Sequence, residues 1–368
     1  MNAHIQTFRI DVPQAEVDDL IERLGRTRWP DEMPGLGDGI ALERVRELAE
    51  YWRLGHDWRA AETRLNRLPQ FVAEIDGQRI HYVHVRSSHD DALPLLITHG
   101  YPSSFAEFEK LIPLLLDRGF DLVIPSLPGF GFSTPVREPG WAMSRTARAW
   151  ASLMAALGHH RYGVHGGDVG AGISGAVGAL DGEHVVGIHV VTDPFTAAAT
   201  ATFLPWVAQK LDPADEVDQL ALDRMERFRN EDSGYLAVQN TRPLTLGFGL
   251  SDSPALQLAW IAESFDAWTD LPIDDEQLIT NVGIYWFTRT GPSAARFLYE
   301  QHHASDWGAP PTVPQGYSVF GADPTVRRLL EPGEGVHWTE HERGRHFPAL
   351  EAPAQLAADL SGFFDGLR

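Results

Sequence analysis

The 368-residue chain contains no cysteine. That excludes disulfides, thiol catalysis and zinc–thiolate sites. Positive charge is also scarce: 30 Lys plus Arg stand against 51 Asp plus Glu, for a net charge of −21. Such an excess repels phosphate backbones and anionic lipid surfaces, so neither nucleic acid nor a membrane is expected as a partner. No segment reaches the roughly 18 uncharged apolar residues that a spanning helix needs. The start, Met1 to Phe8, lacks a basic stretch followed by an apolar run, so it does not read as a signal peptide. Internal repeats and low-complexity tracts are missing too. A soluble, cytoplasmic protein is the expectation.

What is present is enough apolar residue, 43%, for a sizeable core, and a length beyond one ordinary domain. Residues 12–66 read as helical. Val17, Leu20, Ile21 and Leu24 recur at helical spacing until Gly25, and a second run covers about 41–65, with a loop at 29–39 between them. From residue 70 the period changes to strict alternation on both sides of Asp76-Gly77, a hairpin signal. Apolar runs at 93–98, 121–124, 162–165 and 184–191 then alternate with helical patterns at 105–116, 142–157 and 171–180, which implies a mostly parallel sheet. After Asp193-Pro194 the alternation stops. Strands resume at 316–320 and 335–339, and a helix closes the chain at 353–364. The fold class is α/β, with an N-terminal helical extension (1–69), a core in two parts (70–194 and 308–368) and a helical cap (195–307).

The chemistry centres on Gly166-Gly167-Asp168-Val169-Gly170, which lies between an expected strand and an expected helix. This is the nucleophile-elbow pattern with aspartate in place of serine. Small flanking residues permit the strained backbone of a sharp strand-to-helix turn, and the following helix N-terminus favours a negative charge. The plainer reading is a turn in which Asp168 caps the helix. A carboxylate nucleophile attacks an sp³ carbon by displacement and is left as an ester, which water must then hydrolyse. That step calls for a base active near neutral pH, hence histidine. His346, between Gly344 and the last helix, comes in the order nucleophile, acid, histidine.

The acid expected to orient His346 is Asp323, just beyond the strand ending at Phe320, with Asp193 as its rival and Glu331 and Glu334 as weaker candidates. His99-Gly100-Tyr101-Pro102 follows a buried strand. Its Gly-centred turn can aim the N–H of Tyr101, together with that of Val169, at the oxyanion of ester hydrolysis. His159-His160 and His302-His303 are adjacent pairs whose side chains do not share a helix face, so a metal site is not expected. A serine esterase is disfavoured because Ser174 lies on the following helix rather than at the turn.

Together these residues resemble the epoxide hydrolases of the microsomal type, in the α/β-hydrolase superfamily, over nearly the whole chain. Thr27-Arg28-Trp29-Pro30-Asp31-Glu32, Tyr51-Trp52 and Asn66-Arg67-Leu68-Pro69-Gln70-Phe71 resemble that family's N-terminal extension, and H-G-Y-P and G-G-D its core motifs. The resemblance implies Asp168 as nucleophile, His346 as base and Asp323 as the acid, a position where many relatives carry glutamate. It also implies two cap tyrosines that hydrogen-bond the epoxide oxygen. Tyr235, in Asp232-Ser233-Gly234-Tyr235, matches the first. At the second, Leu298 occupies the family's position and Tyr299 follows one residue later, rotated by about 100° on a helix. Val169 stands where many relatives carry tryptophan. The implied reaction turns a small apolar epoxide and water into a vicinal diol without cofactor or metal, in a soluble bacterial form, and a homodimer is compatible with it. The competing readings are a haloalkane dehalogenase-type hydrolase using the same nucleophile and a non-catalytic ligand binder.

Overall fold

The change of period at residue 70 marks the second strand of a sheet that has nine strands among the described residues. The computed structural model describes residues 4–33, 35, 37–304 and 310–368. Its strands are β1 (Ile5–Phe8), β2 (Gln70–Ile75), β3 (Gln78–Val85), β4 (Leu93–Thr98), β5 (Phe120–Pro125), β6 (Tyr162–Gly166), β7 (Val185–Thr192), β8 (Gln315–Phe320) and β9 (His337–His341). Their order across the sheet is β1-β2-β3-β5-β4-β6-β7-β8-β9. The hairpin β2-β3, with its turn at Asp76-Gly77, and the contacts β1-β2 and β3-β5 are antiparallel; β5 to β9 run parallel. Leu95, Leu96 and Ile97 of β4 are fully buried, as a central parallel strand with helices on both faces requires.

The strand order places β5 on one side of β4 and β6 on the other. The connections therefore diverge at the β4/β6 boundary, and the crevice beyond the carboxyl ends of these two strands is the favoured ligand position of an open α/β sheet. Thr98 pairs with Gly166 in register, so the turns that follow, His99-Gly100-Tyr101 and Gly167-Asp168, emerge side by side at that crevice.

Between β7 and β8 the described residues form helices without a strand, from Pro194–Thr202 to Gly291–His303. The N-terminal segment grips this cap. Arg44 pairs with Asp275 at 2.8 Å, Arg64 with Glu276 at 3.1 Å, and Trp58 packs on Phe287 with centroids 4.5 Å apart. Among the described residues no helix is long and apolar enough to cross a membrane.

The structure differs from the sequence reading in four places; one is that the helical run at 105–116 divides into a short tight turn at Phe105–Phe108 and the helix Leu111–Leu116. Residues 1–69 read as a helical extension, yet β1 adds an edge strand beside β2. The second helical run breaks into Leu42–Glu50, a wider turn over Tyr51–Gly55, and Trp58–Leu65. Asp57 starts the last piece by accepting from the N–H of Arg59 at 2.9 Å, a side-chain cap that competes with continuing the helix. The last strand lies two residues later than expected, at His337–His341. The expected cap–core boundary at 307/308 lies outside the described residues, as do residues 1–3 of the start and residues 34 and 36 of the 29–39 loop.

Candidate active site

Asp168 holds φ +52° and ψ −127° between β6 and the helix Val169–Leu180. A non-glycine residue in this region is strained and persists only where its surroundings enforce it. Here they do. A Cβ on Gly166 would meet the backbone carbonyl of Gly170, and one on Gly170 would meet that of Thr98. Helix and strands thus approach at backbone contact, and the aspartate projects from the bend. It does not cap its helix: no helix N–H reaches its side chain. Its Oδ1 instead accepts from the N–H of Tyr101 at 2.8 Å, which joins the elbow to the H-G-Y-P turn. His99 braces that turn, bridging the carbonyl of Gly100 (3.0 Å) and the N–H of Leu127 (3.2 Å); burial lowers its pKa to about 4, so it is a neutral structural group.

His346 is buried, with its Nε2 3.7 Å from Asp168 Oδ2. The ring sits against Trp268 and Phe347, at centroid distances of 4.9 and 4.7 Å. Its Nδ1 lies 2.9 Å from Thr196 Oγ1 and 3.4 Å from Asp193 Oδ2, and Thr196 Oγ1 donates to Asp193 Oδ2 at 2.8 Å. Because the hydroxyl proton goes to the carboxylate, Nδ1 must be the donor to Thr196, which leaves the Nε2 lone pair facing Asp168. Burial opposes the charged imidazolium, but the Asp193 contact and the charges of Asp168, Asp193 and Glu107 outweigh it, and the pKa is raised. Burial likewise opposes ionisation of Asp193. The His346 contact and the donors of Thr196 prevail and hold its carboxyl below the usual range.

Asp323, the expected partner of His346, is engaged elsewhere. It caps the helix Pro324–Leu330 through Thr325 N (2.9 Å) and forms its ion pair with Arg224. Asp193 has the same Asp-Pro setting at the end of β7, capping Pro194–Thr202 through Phe195 N at 2.7 Å, but there His346 is the neighbour. The acid beside the histidine is therefore the rival candidate, one strand inward. Thr196 went unnoticed in the sequence; its signal was a hydroxyl three residues after a capping aspartate. Glu331 lies close to Lys210, and Glu334 makes no contact with His346.

A cavity of about 500 Å³ opens over these groups. Tyr101, Asp168, Val169, Tyr235 and His346 all line it, and its other walls are mainly apolar, Leu236 and Leu298 among them. Tyr235, on the helix Gly234–Thr241, stacks parallel to Tyr101 with centroids 6.3 Å apart. The Tyr101 hydroxyl accepts from Trp260 Nε1 at 2.6 Å, which anchors that ring. Burial, then the negative charge of Asp168, pushes the Tyr235 pKa far up, so the phenol keeps its proton. Tyr299 does not join this group. It stacks on His303 at 4.1 Å, while Leu298 faces the cavity. The phase of the helix Gly291–His303 is not shifted to bring the second tyrosine in.

An open α/β sheet, a strained acidic elbow at its switch point, a buried histidine and a helical lid define the class: an α/β-hydrolase-fold protein with a carboxylate at the nucleophile position. Comparison with known proteins narrows this. The "Epoxide hydrolase N terminus" family matches residues 5–108 and the "alpha/beta hydrolase fold" family residues 94–271. A putative epoxide hydrolase of Stigmatella aurantiaca is 40% identical over 99% of this chain and 86% of its own, and epoxide hydrolase 1 of Sus scrofa is 30% identical over 98% and 88%. The solved structure of Aspergillus niger epoxide hydrolase superposes with a TM-score of 0.84 at 28% identity, covering 100% of this chain and 97% of that one. The chain belongs to the microsomal-type epoxide hydrolase family.

Proposed function

We propose that this enzyme, which hydrolyses an epoxide to a vicinal diol, works through an ester on Asp168. With Oδ1 held by the Tyr101 N–H, Oδ2 is the attacking atom. As the Oδ2–carbon bond forms, the ring C–O bond breaks and the alkoxide takes the proton of Tyr235. The gap of 3.7 Å between His346 Nε2 and Oδ2 is too long for a hydrogen bond, and it sets the imidazole beside the carboxyl group where a water can reach both the ring and Cγ of the ester. That water attacks Cγ and gives its proton to His346. The oxyanion on Oδ1 is met by the N–H groups of Tyr101 and Val169. The Cγ–Oδ2 bond then breaks, the diol leaves with the His346 proton, and the proton of the regenerated Asp168 carboxyl returns to Tyr235. Asp193, through Thr196, orients His346 in place of Asp323. Tyr235 is the one cap hydroxyl assigned to the epoxide oxygen.

The observation that carries this reading is the convergence of Asp168, His346 and Tyr235 on one largely apolar cavity, which also supports a small apolar epoxide as substrate. Residues 1–69 serve as an extension that clamps the cap, residues 195–307 as the cap, and the remainder as the core. The charge of −21 disfavours docking on anionic bilayers and supports a cytoplasmic site of action. One turnover in ¹⁸O-labelled water is the test. The diol should carry no label and Asp168 should acquire it; label in the first-turnover diol would replace the ester route by direct attack of water.

A further inference from the structure

A separate, small cavity of about 10 Å³ lies between the segment that follows H-G-Y-P, the cap helix Asp275–Thr288 and the short helix Pro348–Glu351 just after His346. Ser103, Glu107, Gln277, Asn281, Phe265 and Leu350 are among its walls. Phe265 stacks on Phe347, next to the histidine, at 4.3 Å. Asn281 is 5% exposed, and its Nδ2 donates to the carbonyl of Pro102 at 2.8 Å, so Oδ1 is the atom left over. That Oδ1 and the Oε1 of Gln277 are both buried without a hydrogen-bond partner. Two unpaired acceptors beside the half-buried Glu107 carboxyl lack donors. A water supplies two, and the volume lies at the lower end of the roughly 10–15 Å³ that one water occupies.

We propose that this cavity is a one-water site whose water donates to Asn281 Oδ1 and Gln277 Oε1 and accepts from Glu107 while that carboxyl is protonated, turning one of its protons to Glu107 once it ionises, and that Glu107 is a positioning residue whose charge tunes His346 for ester hydrolysis. The inference rests on the mechanism proposed above. Glu107 is coupled to His346 and to Asp168 through their charges. Enclosure pushes its carboxyl up to about 7, against the hydrogen bond from Ser103, so it exchanges its proton in the range where the enzyme must cycle. The other groups around it do not fix its charge. Arg64 is held by Glu109 (2.8 Å) and Glu276 (3.1 Å), and Glu351 spends its oxygens on the N–H groups of Asp270, Leu271, Arg345 and Phe347. A carboxylate at Glu107 favours the imidazolium formed when water is deprotonated; the neutral acid favours the free base.

The test is Glu107→Gln, which keeps size and hydrogen bonding but carries no charge. The pH profile of single-turnover ester hydrolysis should keep its shape while the midpoint of its acid limb moves down by about half a unit to one unit, because the imidazolium loses a supporting charge. An unmoved midpoint overturns the inference. An infrared titration of the wild-type enzyme with ¹³C-labelled glutamate needs no variant. A protonated-carboxyl band that titrates near neutrality supports it, and its absence overturns it. If His346→Gln traps no adduct, the mechanism fails instead, so the two failures are distinguishable.

Discussion

Gly100 and Asp168 meet so closely that a Cβ on the glycine would fall 2.5 Å from the aspartate Oδ1 and 2.8 Å from its Cγ. The backbone of one turn thus forms the wall against which the other turn's carboxylate is held. Gly100→Ala forces either the carboxylate or the Tyr101 N–H out of place. Removing one oxyanion donor costs about 10²–10³ in kcat, and a loss of that order is expected here, with about 1–3 kcal/mol of destabilisation from overpacking. Steady-state kinetics beside thermal unfolding checks both; near-normal turnover would show that the wall yields.

The two Asp-Pro caps make opposite forecasts. Asp193→Asn should slow ester hydrolysis strongly, by up to roughly 10⁴-fold as for other acids that orient a catalytic histidine, and let the Asp168 adduct build up in intact-mass spectra. Asp323→Asn keeps a capping oxygen but loses the ion pair with Arg224, so it should lower the melting temperature slightly and leave kcat within a few fold. The reverse ranking would return the acid to Asp323.

The raised pKa of His346 sets a direction with pH. Water activation needs the neutral imidazole; the ester no longer carries the Asp168 charge, so the Asp193 contact is what should keep the acid limb of ester hydrolysis above the ordinary histidine value of about 6.5. The folded-state pKa exceeds the unfolded one. The stability His346 contributes is therefore complete below about 6.5 and is lost as pH rises through its folded value. Thr196→Val, which breaks the hydroxyl bridge to Asp193, should move the limb downward; an upward shift would contradict the tautomer assigned here.

Tyr235→Phe removes the only cap tyrosine that lines the substrate cavity among the described residues and should slow ring opening by about 10²–10⁴-fold, the usual weight of a general acid. Tyr299→Phe should change it little. Leu298→Tyr would place a second hydroxyl on the cavity side of its helix, and an acceleration of ring opening by about tenfold is expected, the value of one hydrogen bond. Pre-steady-state bursts of adduct formation separate the three variants. A larger loss with Tyr299→Phe than with Tyr235→Phe would overturn the orientation of this helix.

Some of this was written in local sequence. Gly166-Gly167-Asp168-Val169-Gly170 specifies a bend that only small residues can make, and the alternation of apolar runs with helical periods specifies a parallel sheet around it. His346 was legible from its place late in the chain, and Tyr235 from a Ser-Gly-Tyr segment that resembles relatives. Which aspartate lies beside His346 was not legible, because Asp193 and Asp323 look alike locally. Each follows a core strand, precedes proline and caps a helix. Which of them meets the imidazole depends on where the His346 loop lands and on Arg224 neutralising one of the pair, and both come from contacts between segments far apart in the chain. The role of Leu298 against Tyr299 depended on helical phase relative to the cavity. The unpaired amides around Glu107 came into view only with tertiary packing, which brings side chains from the core, the cap and the histidine loop into one enclosed space where burial and mutual charge decide what each group does.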